Sequence, residues 1–537
     1  MRTQLAAFIT ATSLAAPAIV SAAEPVSSGK SARPNIVFIF SDDHAAQSIQ
    51  AYGAKLGVSV TPNIDRMARE GMTFENCFAG NPLCGPSRAS LLTGKFSHAN
   101  KFFSNEAHVP FDGSQPTFPK YLKEAGYQSA IFGKWHLEST PTGFDDYAIM
   151  VGQGIYYNSP VITPKGKKER TGYVTEAVTQ DALNWLKDKR DAKKPFVLMV
   201  HHKAPHRNWV PGPNELDLFK GHVWPEPPTL RDTYEGKAQC ISDIRMRILR
   251  DMPYPSDLLI PAKGKDTSPG YMTGMWYLSK EERKRLEDAY REENDLFIKN
   301  NPQGDALLSW KYQRYMTNYL RTVAGVDKSV GTILDYLKKS GLEENTLVIY
   351  SSDQGFFLGE HGWYDKRMPY DESGRMPFIA RWPGKVKAGS RTPTVIQNTD
   401  IAPTFMDLAG VPVLADIHGR SVVPLLQGKA DPANRDEAYF HFYEDTGEHH
   451  CPVYVAVRTQ DHLLAWYYEH DYTELFDIKK DPLQLKNEAD NPAFAETRKS
   501  MEKRLRQLAE KYGDRTAPWG DEPGPKLKVA SGKESGM

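Results

Sequence analysis

Cysteine is scarce, with only Cys77, Cys84, Cys240 and Cys451 in 537 residues. So few in so long a chain exclude a disulfide-held scaffold, and a cysteine in a special context is read as chemistry rather than as a staple. An excess of charge of either sign is also lacking. Basic and acidic residues number 67 each, so the net charge is zero and no global field points to nucleic acid. Any selectivity for an anion must be local. No segment beyond the N-terminal stretch is apolar for long enough to span a bilayer, and there is no internal repeat. What is present suits a globular protein: 40% hydrophobic residues supply sizeable cores, and the length exceeds one ordinary domain.

Arg2 precedes an alanine-rich apolar stretch from Leu5 to Val20, and Val20-Ser21-Ala22 or Ser21-Ala22-Ala23 offers a small-residue cleavage site. Residues 1–22 are therefore read as a signal peptide, which implies a periplasmic or secreted protein. Thr10, Thr12, Ser13 and Pro17 interrupt the stretch and argue against a retained anchor.

Beyond it, apolar runs alternate with helical patterns. Asn35 to Phe40 is a continuous apolar run of the kind found in buried parallel strands, and similar runs occur at Gln128–Phe132, Phe196–Val200 and Leu347–Tyr350. Between them lie helical patterns at Pro62–Glu70, Val174–Lys189 and Ala306–Lys339. The alternation predicts an α/β fold, a large, mixed, mainly parallel sheet sandwiched by helices. Asp42-Asp43, Lys134 with His136, His201 to His206, and Asp353-Gln354 each follow an apolar run within a few residues. Open sheets of this class bind ligands at the carboxyl ends of their strands, so these groups are expected to converge. Three carboxylates and an amide oxygen suit Ca²⁺ or Mg²⁺ better than zinc.

Cys84-Gly85-Pro86-Ser87-Arg88, followed by Leu92-Thr93-Gly94, is the most specific motif. Pro86 suits a first helical turn, so residue 84 is expected at a helix N-terminus, an end that attracts anions. Arg88, one turn on, would add a fixed positive charge. The run resembles the Cys-x-Pro-Ser-Arg signature of the formylglycine-dependent (type I) sulfatases of the alkaline phosphatase superfamily. In that family the cysteine is oxidised to formylglycine (3-oxoalanine) by a formylglycine-generating or equivalent enzyme. One hydroxyl of the hydrated aldehyde attacks sulfur and the other later expels sulfate.

The resemblance extends to other segments. It implies that Asp42, Asp43, Asp353 and Gln354 hold a divalent cation, Ca²⁺ in preference to Mg²⁺, together with residue 84; many members have Asn where this chain has Gln354. Gly133-Lys134-Trp135-His136, the Ala204-Pro205-His206 end of the run from His201, and the segment from Gly359 to Lys366 match the family's sulfate-contacting stretches. They imply that Lys134, His206 and Lys366 hold the sulfate oxygens, that His206 or Lys366 protonates the leaving alcohol, and that His136 takes the proton when sulfate is released. His201 and His202 read better as satisfied core or supporting histidines, and Lys203 as a solvated surface charge.

Asp400-Ile401-Ala402-Pro403-Thr404 and Glu474-Leu475-Phe476-Asp477 resemble late landmarks of the family. They imply a catalytic domain over 34–425 with an insertion at 207–305, a smaller C-terminal α+β subdomain over 426–513 with an antiparallel sheet beside a helix, and a flexible tail over 514–537. The nearest likeness is to bacterial enzymes acting on sulfated polysaccharides or glycosaminoglycan fragments, including 6-O-sulfated hexosamine. His361, Arg207 and Arg367 are candidate sugar contacts. Trp209, Trp224, Tyr234, Arg245, Arg247 and Tyr254 in the insertion are available to a glycan or to packing. Rival readings are a phosphonate monoester hydrolase or phosphodiesterase of the same superfamily, a noncatalytic sulfated-glycan-binding protein, and a metal-dependent phosphatase with an unmodified nucleophile.

Overall fold

The structure, a computed structural model, describes residues 33–105, 109–260, 275, 277–432, 434–445 and 447–518. The expected signal peptide and most of the expected tail lie outside them. In chain order the strands are β1 (Asn35–Ser41), β2 (Met72–Phe78), β3 (Gln128–Gly133), β4 (Asp146–Met150), β5 (Val161–Thr163), β6 (Gly166–Lys168), β7 (Phe196–His201), β8 (Thr346–Ser352), β9 (Phe357–Leu358), β10 (Tyr364–Asp365), β11 (Arg375–Arg381), β12 (Ser390–Gln397), β13 (Glu437–Phe442), β14 (Tyr454–Thr459), β15 (His462–Tyr467) and β16 (Tyr472–Asp477).

The main sheet runs β12-β2-β11-β8-β1-β7-β3-β4-β5-β6. Its centre, β8-β1-β7-β3-β4, is parallel throughout. β11 is antiparallel to both β8 and β2, so β2 points the same way as β1. The carboxyl ends of β2, β8, β1, β7 and β3 therefore share one edge of the sheet.

Both faces of β1 are buried, and its side chains alternate between two cores. Val37 and Ile39 pack with Ile64, Val178, Val330 and Leu334 from helices on one face. Ile36, Phe38 and Phe40 pack with Leu91, Leu122 and Phe405 from helices on the other. The helix expected over Val174–Lys189 is α-helical only to Asn184 and finishes in a π turn, Trp185–Lys189.

The C-terminal sheet is β13-β14-β15-β16, antiparallel. One face carries Val455, Val457, Leu464 and Leu475 against Met501, Leu505 and Leu508 of the helix Ala495–Tyr512. The other places Phe440, Phe442 and Leu463 with Phe78, Trp363 and Tyr370 from the preceding part of the chain. The stretch from Glu474 to Asp477, read only as a landmark, is a strand of this sheet.

The insertion is a packed layer. Trp209 and Trp224 are 0% and 1% exposed and lie with Tyr312, Tyr315 and Tyr319 of the long helix Gly304–Lys339. Tyr234 donates to the His361 carbonyl and carries Arg247 over its ring. Of the two uses open to these aromatics, packing is the one the structure takes. A helix not expected from the sequence, Lys280–Asn300, begins at a Ser279/Glu282 capping box and buries only Leu286, Tyr290, Asn294 and Phe297.

Residue 514, where the expected tail starts, is anchored. Asp514 is buried and accepts hydrogen bonds from His441 Nδ1 (2.7 Å), Tyr439 Oη (2.8 Å) and Tyr443 Oη (3.3 Å). His98 Nδ1, from the helix Ser97–Asn100, lies 3.3 Å from the same carboxylate. These partners hold the Asp514 carboxyl far below the usual range despite its burial. Removing one side of such a buried network costs about 3 kcal/mol or more, because its donors are left unmet. Asp514→Ala is expected to lower unfolding stability by about that amount in urea denaturation; a loss within ~0.5 kcal/mol, ordinary for a surface change, would mean that the segment is loosely attached.

Candidate functional site

The shared sheet edge gathers the residues one strand at a time. β1 runs directly into Asp42 and Asp43, and β8 into Asp353 and Gln354. Asp43 adopts a left-handed conformation, φ 66°, which short polar side chains tolerate. β3 ends at Gly133, φ 109°, where a Cβ would stand 1.8 Å from the His201 carbonyl oxygen. Only glycine lets β3 approach β7 that closely, and the next amide, Lys134 N, donates to the same oxygen at 2.8 Å. β2 leads through residues 79–83 to the helix Cys84–Thr93, all ten residues of which are buried. The short ladder of β9 and β10 delivers Asp365 and Lys366.

At their meeting point Asp42, Asp43, Asp353 and Cys84 offer ligand atoms all within 4.8 Å of one another. Cys84 Sγ donates to Asp42 Oδ1 at 3.2 Å. The Gln354 amide donates to Asp43 Oδ1 and lies 3.8 Å from Sγ. Lys134 Nζ donates to Asp42 Oδ2 and, at 2.7 Å, to Gln153 Oε1. Lys366 Nζ donates to Asp43 Oδ2 at 2.8 Å. His206 Nε2 lies 3.7 Å from the same oxygen, while its Nδ1 donates to the Arg207 carbonyl. His136 is nearly buried beside the charges of Lys134 and Asp42, and its Nδ1 has no partner among the described residues.

Arg88 does not face the sulfur directly. Its guanidinium forks Asp353 Oδ2 through Nε (3.1 Å) and Nη2 (2.8 Å), and Nη1 donates to the Lys134 carbonyl at 2.9 Å. It positions two other members of the cluster. His201 is the neighbour of that guanidinium, 3.2 Å from Nη1, and His202 hydrogen-bonds Ser329 at 3.0 Å. Both fill the supporting role expected of them.

Crowded carboxylates out of water resist ionisation. Burial pushes Asp43 up to about 8, with Asp42, Asp365 and Asp353 adding and Lys366 pulling back. Burial and Asp42 push Asp353 up to about 6 against Arg88. Asp42 goes the other way: burial raises it, but Lys134, His206, Arg88 and Lys366 more than offset that. Burial would lower Lys366, but Asp365 and Asp43 hold its ammonium well above the ordinary value. Burial, then Lys134, keeps His206 well below. The Cys84 thiol is raised well above its ordinary value, first by burial and then by Asp42.

The donor set fits a hard divalent cation. Three carboxylates converge, and Gln354 Oε1 is buried with no hydrogen-bond partner among the described residues. An orphaned amide oxygen beside repelling carboxylates is satisfied by a cation such as Ca²⁺.

All three expected sugar contacts are paired within the protein. His361 is fully buried, hydrogen-bonded through Nδ1 to Asp232 at 2.9 Å and stacked on Tyr370. Its ring has no contact with the cluster among the described residues. Arg207 is tied to Asp257 (2.8 Å), Glu448 (3.1 Å) and Asp365 (3.4 Å), and Arg367 to Asp365 (2.8 Å) and Glu448 (3.3 Å). Residues not anticipated include Gln153, which caps Lys134, and Asp365, which gathers Lys366, Arg367 and His449. Asn398 Nδ2 supports the cysteine helix at Ser87 Oγ, 2.9 Å away. Asp365 lies within the Gly359–Lys366 segment, next to the lysine that drew attention there; Gln153 sits in a loop with no sequence signal.

Residues 34–411 match the family model for sulfatases, and residues 359–511 match the model described as N-sulphoglucosamine sulphohydrolase, C-terminal. The chain is 43% identical over 511 residues to the N-acetylglucosamine-6-O-sulfatase of Bacteroides thetaiotaomicron, covering 93% of this chain and 90% of that one. A solved structure of a protein in complex with its substrate D-glucosamine-2-N,6-O-disulfate matches with a TM-score of 0.87 and 42% identity, over 91% of this chain and 100% of that one. The phosphonate monoester hydrolase of Agrobacterium radiobacter shares the fold, with a TM-score of 0.66 at 20% identity over 89% and 96% of the two chains. Sequence and structure thus agree over nearly the whole chain, and the protein belongs to the sulfatase family, the hydrolases of sulfuric esters.

Proposed function

We propose that the protein hydrolyses a sulfate ester on an exported-compartment carbohydrate, a 6-O-sulfated glucosamine derivative, with a formylglycine made from Cys84 as nucleophile and Ca²⁺ as its metal. The observation that carries this reading is the meeting of Cys84 with three carboxylates within 4.8 Å, flanked by Lys134, Lys366 and His206. The sugar assignment rests on the 43% identical relative and on the bound disulfate in the 42% identical structure. No helix among the described residues is long and apolar enough to cross a membrane, which is compatible with export into the periplasm or medium.

Asp42, Asp43, Asp353 and Gln354 would hold the calcium, which would supply fixed positive charge to sulfate oxygens and acidify the attacking hydroxyl. The hydrated aldehyde at residue 84 would supply an attacking hydroxyl and a second one for sulfate release. Everything else falls to the chain's own side chains. Lys134 and Lys366 project ammonium groups at the cluster, where charge moves onto the ester oxygen as the S–O bond breaks. Lys366, whose ammonium is held protonated by Asp365 and Asp43, would supply fixed positive charge to the departing ester oxygen. Neutral His206 spends Nδ1–H on the Arg207 carbonyl, so Nε2 presents a lone pair and acts as an acid only after substrate charge has raised its proton affinity. His136, whose Nδ1 has no hydrogen-bond partner among the described residues, would take up the proton from the second hydroxyl. Arg88 fixes the orientation of Asp353.

The rival readings have less support. A thiol held protonated by burial and Asp42 is a poor unmodified nucleophile, which weighs against an unmodified phosphatase. Retention of every candidate group weighs against a noncatalytic binder. The likeness to the phosphonate hydrolase is one of fold.

With residue 84 converted, peptide mass spectrometry across it and sulfate release from N-acetylglucosamine 6-sulfate should appear together, and Cys84→Ala should abolish both. Sulfate release at the parental rate by Cys84→Ala would remove Cys84 as nucleophile. Lys366→Ala should lower kcat/KM by about 10²–10³-fold, the range for loss of one charge-stabilising donor; a change under about threefold would exclude that role. Chelation should lower the melting temperature, since a site filled at 100 times its Kd adds about 2.7 kcal/mol. Identical melting curves with calcium and with chelator would rule out an ion here.

A further inference from the structure

Charge at the site is paired almost completely within the protein. Arg88 lies on Asp353, Lys134 on Asp42, Lys366 on Asp43 and Asp365, and Arg207 and Arg367 on Asp365 and Glu448. Lys203 is the exception among the described residues. It is 5% exposed, yet its Nζ has only a long hydrogen bond to the Arg207 carbonyl (3.3 Å) and the face of Tyr156 (5.4 Å to the centroid). An ammonium has three donors to satisfy, and burying a charge without a counter-charge is expensive.

The position of this unmet group is set by its neighbours. The carbonyl it touches is the one that receives His206 Nδ1. Tyr156, whose ring it covers, donates to the His206 carbonyl at 2.6 Å. Lys203 therefore stands against the histidine that faces Asp43. Burial, with Lys134 adding, brings its ammonium down to about 7, while Asp42, Asp43 and Cys84 pull it back, as expected of a cation beside the cluster but bonded to none of its carboxylates.

We propose that Lys203 is a further substrate-contacting residue, whose ammonium receives a sulfo group of the substrate. The inference rests on the sulfated-sugar reading above. A sulfo group supplies the missing counter-charge and enough acceptor oxygens for the unmet donors. Two sources share that chemistry: the ester being cleaved, or a second sulfo group such as an N-sulfate on the same sugar.

The test measures binding in a Cys84→Ala background, by calorimetry with glucosamine 6-sulfate, with glucosamine 2-N,6-O-disulfate and with inorganic sulfate. Adding Lys203→Met should weaken binding about tenfold or more, as expected for a lost charge-assisted hydrogen bond. Loss on all three ligands assigns Lys203 to the cleaved sulfate, and loss on the disulfate alone assigns it to the second group. Lys203→Gln, which keeps hydrogen-bonding capacity without charge, should show the same loss and guards against a misfolded Met variant; Lys203→Arg should recover part of it. Unchanged affinity in folded Met and Gln variants for every ligand that the background protein binds overturns the proposal. Failure of the background to bind either sugar while binding sulfate would fault the sugar assignment alone, and sulfate affinity would still decide Lys203.

Discussion

Like charge packed out of water is the constraint around which this molecule is organised. Asp42, Asp43 and Asp353 converge on Cys84 within 4.8 Å, and each is fully buried. Such a grouping is unstable unless cations are built in around it. Arg88, Lys134 and Lys366 meet that need, and each is drawn from a different segment of the chain. The sheet is what makes the arrangement repeatable, because five strands ending on one edge fix the origin of every loop before any side chain is placed.

Support for the cluster reaches far beyond it. Arg88 ties Asp353 to the Lys134 carbonyl, Gly133 lets β3 and β7 close up, and Asn398 props the cysteine helix through Ser87. The C-terminal sheet packs Phe440 and Phe442 against Trp363 and Tyr370, which bracket the segment carrying Lys366. A subdomain with no group in the cluster thus sets the position of one of its cations. Precision of this kind comes from residues whose own rotamers are locked by packing.

The central strands were legible because they are buried on both faces and read as unbroken apolar runs, as in Asn35–Ser41. Strands at the margins were not: Met72–Phe78 interleaves Thr, Glu and Asn, and Ser390–Gln397 carries a proline on an edge. The helix Lys280–Asn300 is charged on most of its surface, leaving a stripe too narrow to stand out. In the site, residues that directly follow strands were found from sequence, since position and residue type coincide there. The pairing of His361 and Arg207 within the protein was not legible for the opposite reason. Their partners, Asp232 and Asp257, lie in the insertion, and nothing local announces such pairings. Lys203 read as a solvated surface charge because its burial and its lack of a carboxylate partner are visible only in three dimensions.

The burial of the cysteine helix sets an order of events. Cys84 is 0% exposed, and every residue from Cys84 to Thr93 is enclosed. A second protein that had to grip this peptide, as the proposed conversion of residue 84 would require, would have no purchase on the finished molecule. On the proposed chemistry, maturation and folding would compete for the same stretch of chain: the oxidation would have to finish while residues 84–93 were still an open segment, and a chain that closed first would be sealed with its thiol intact.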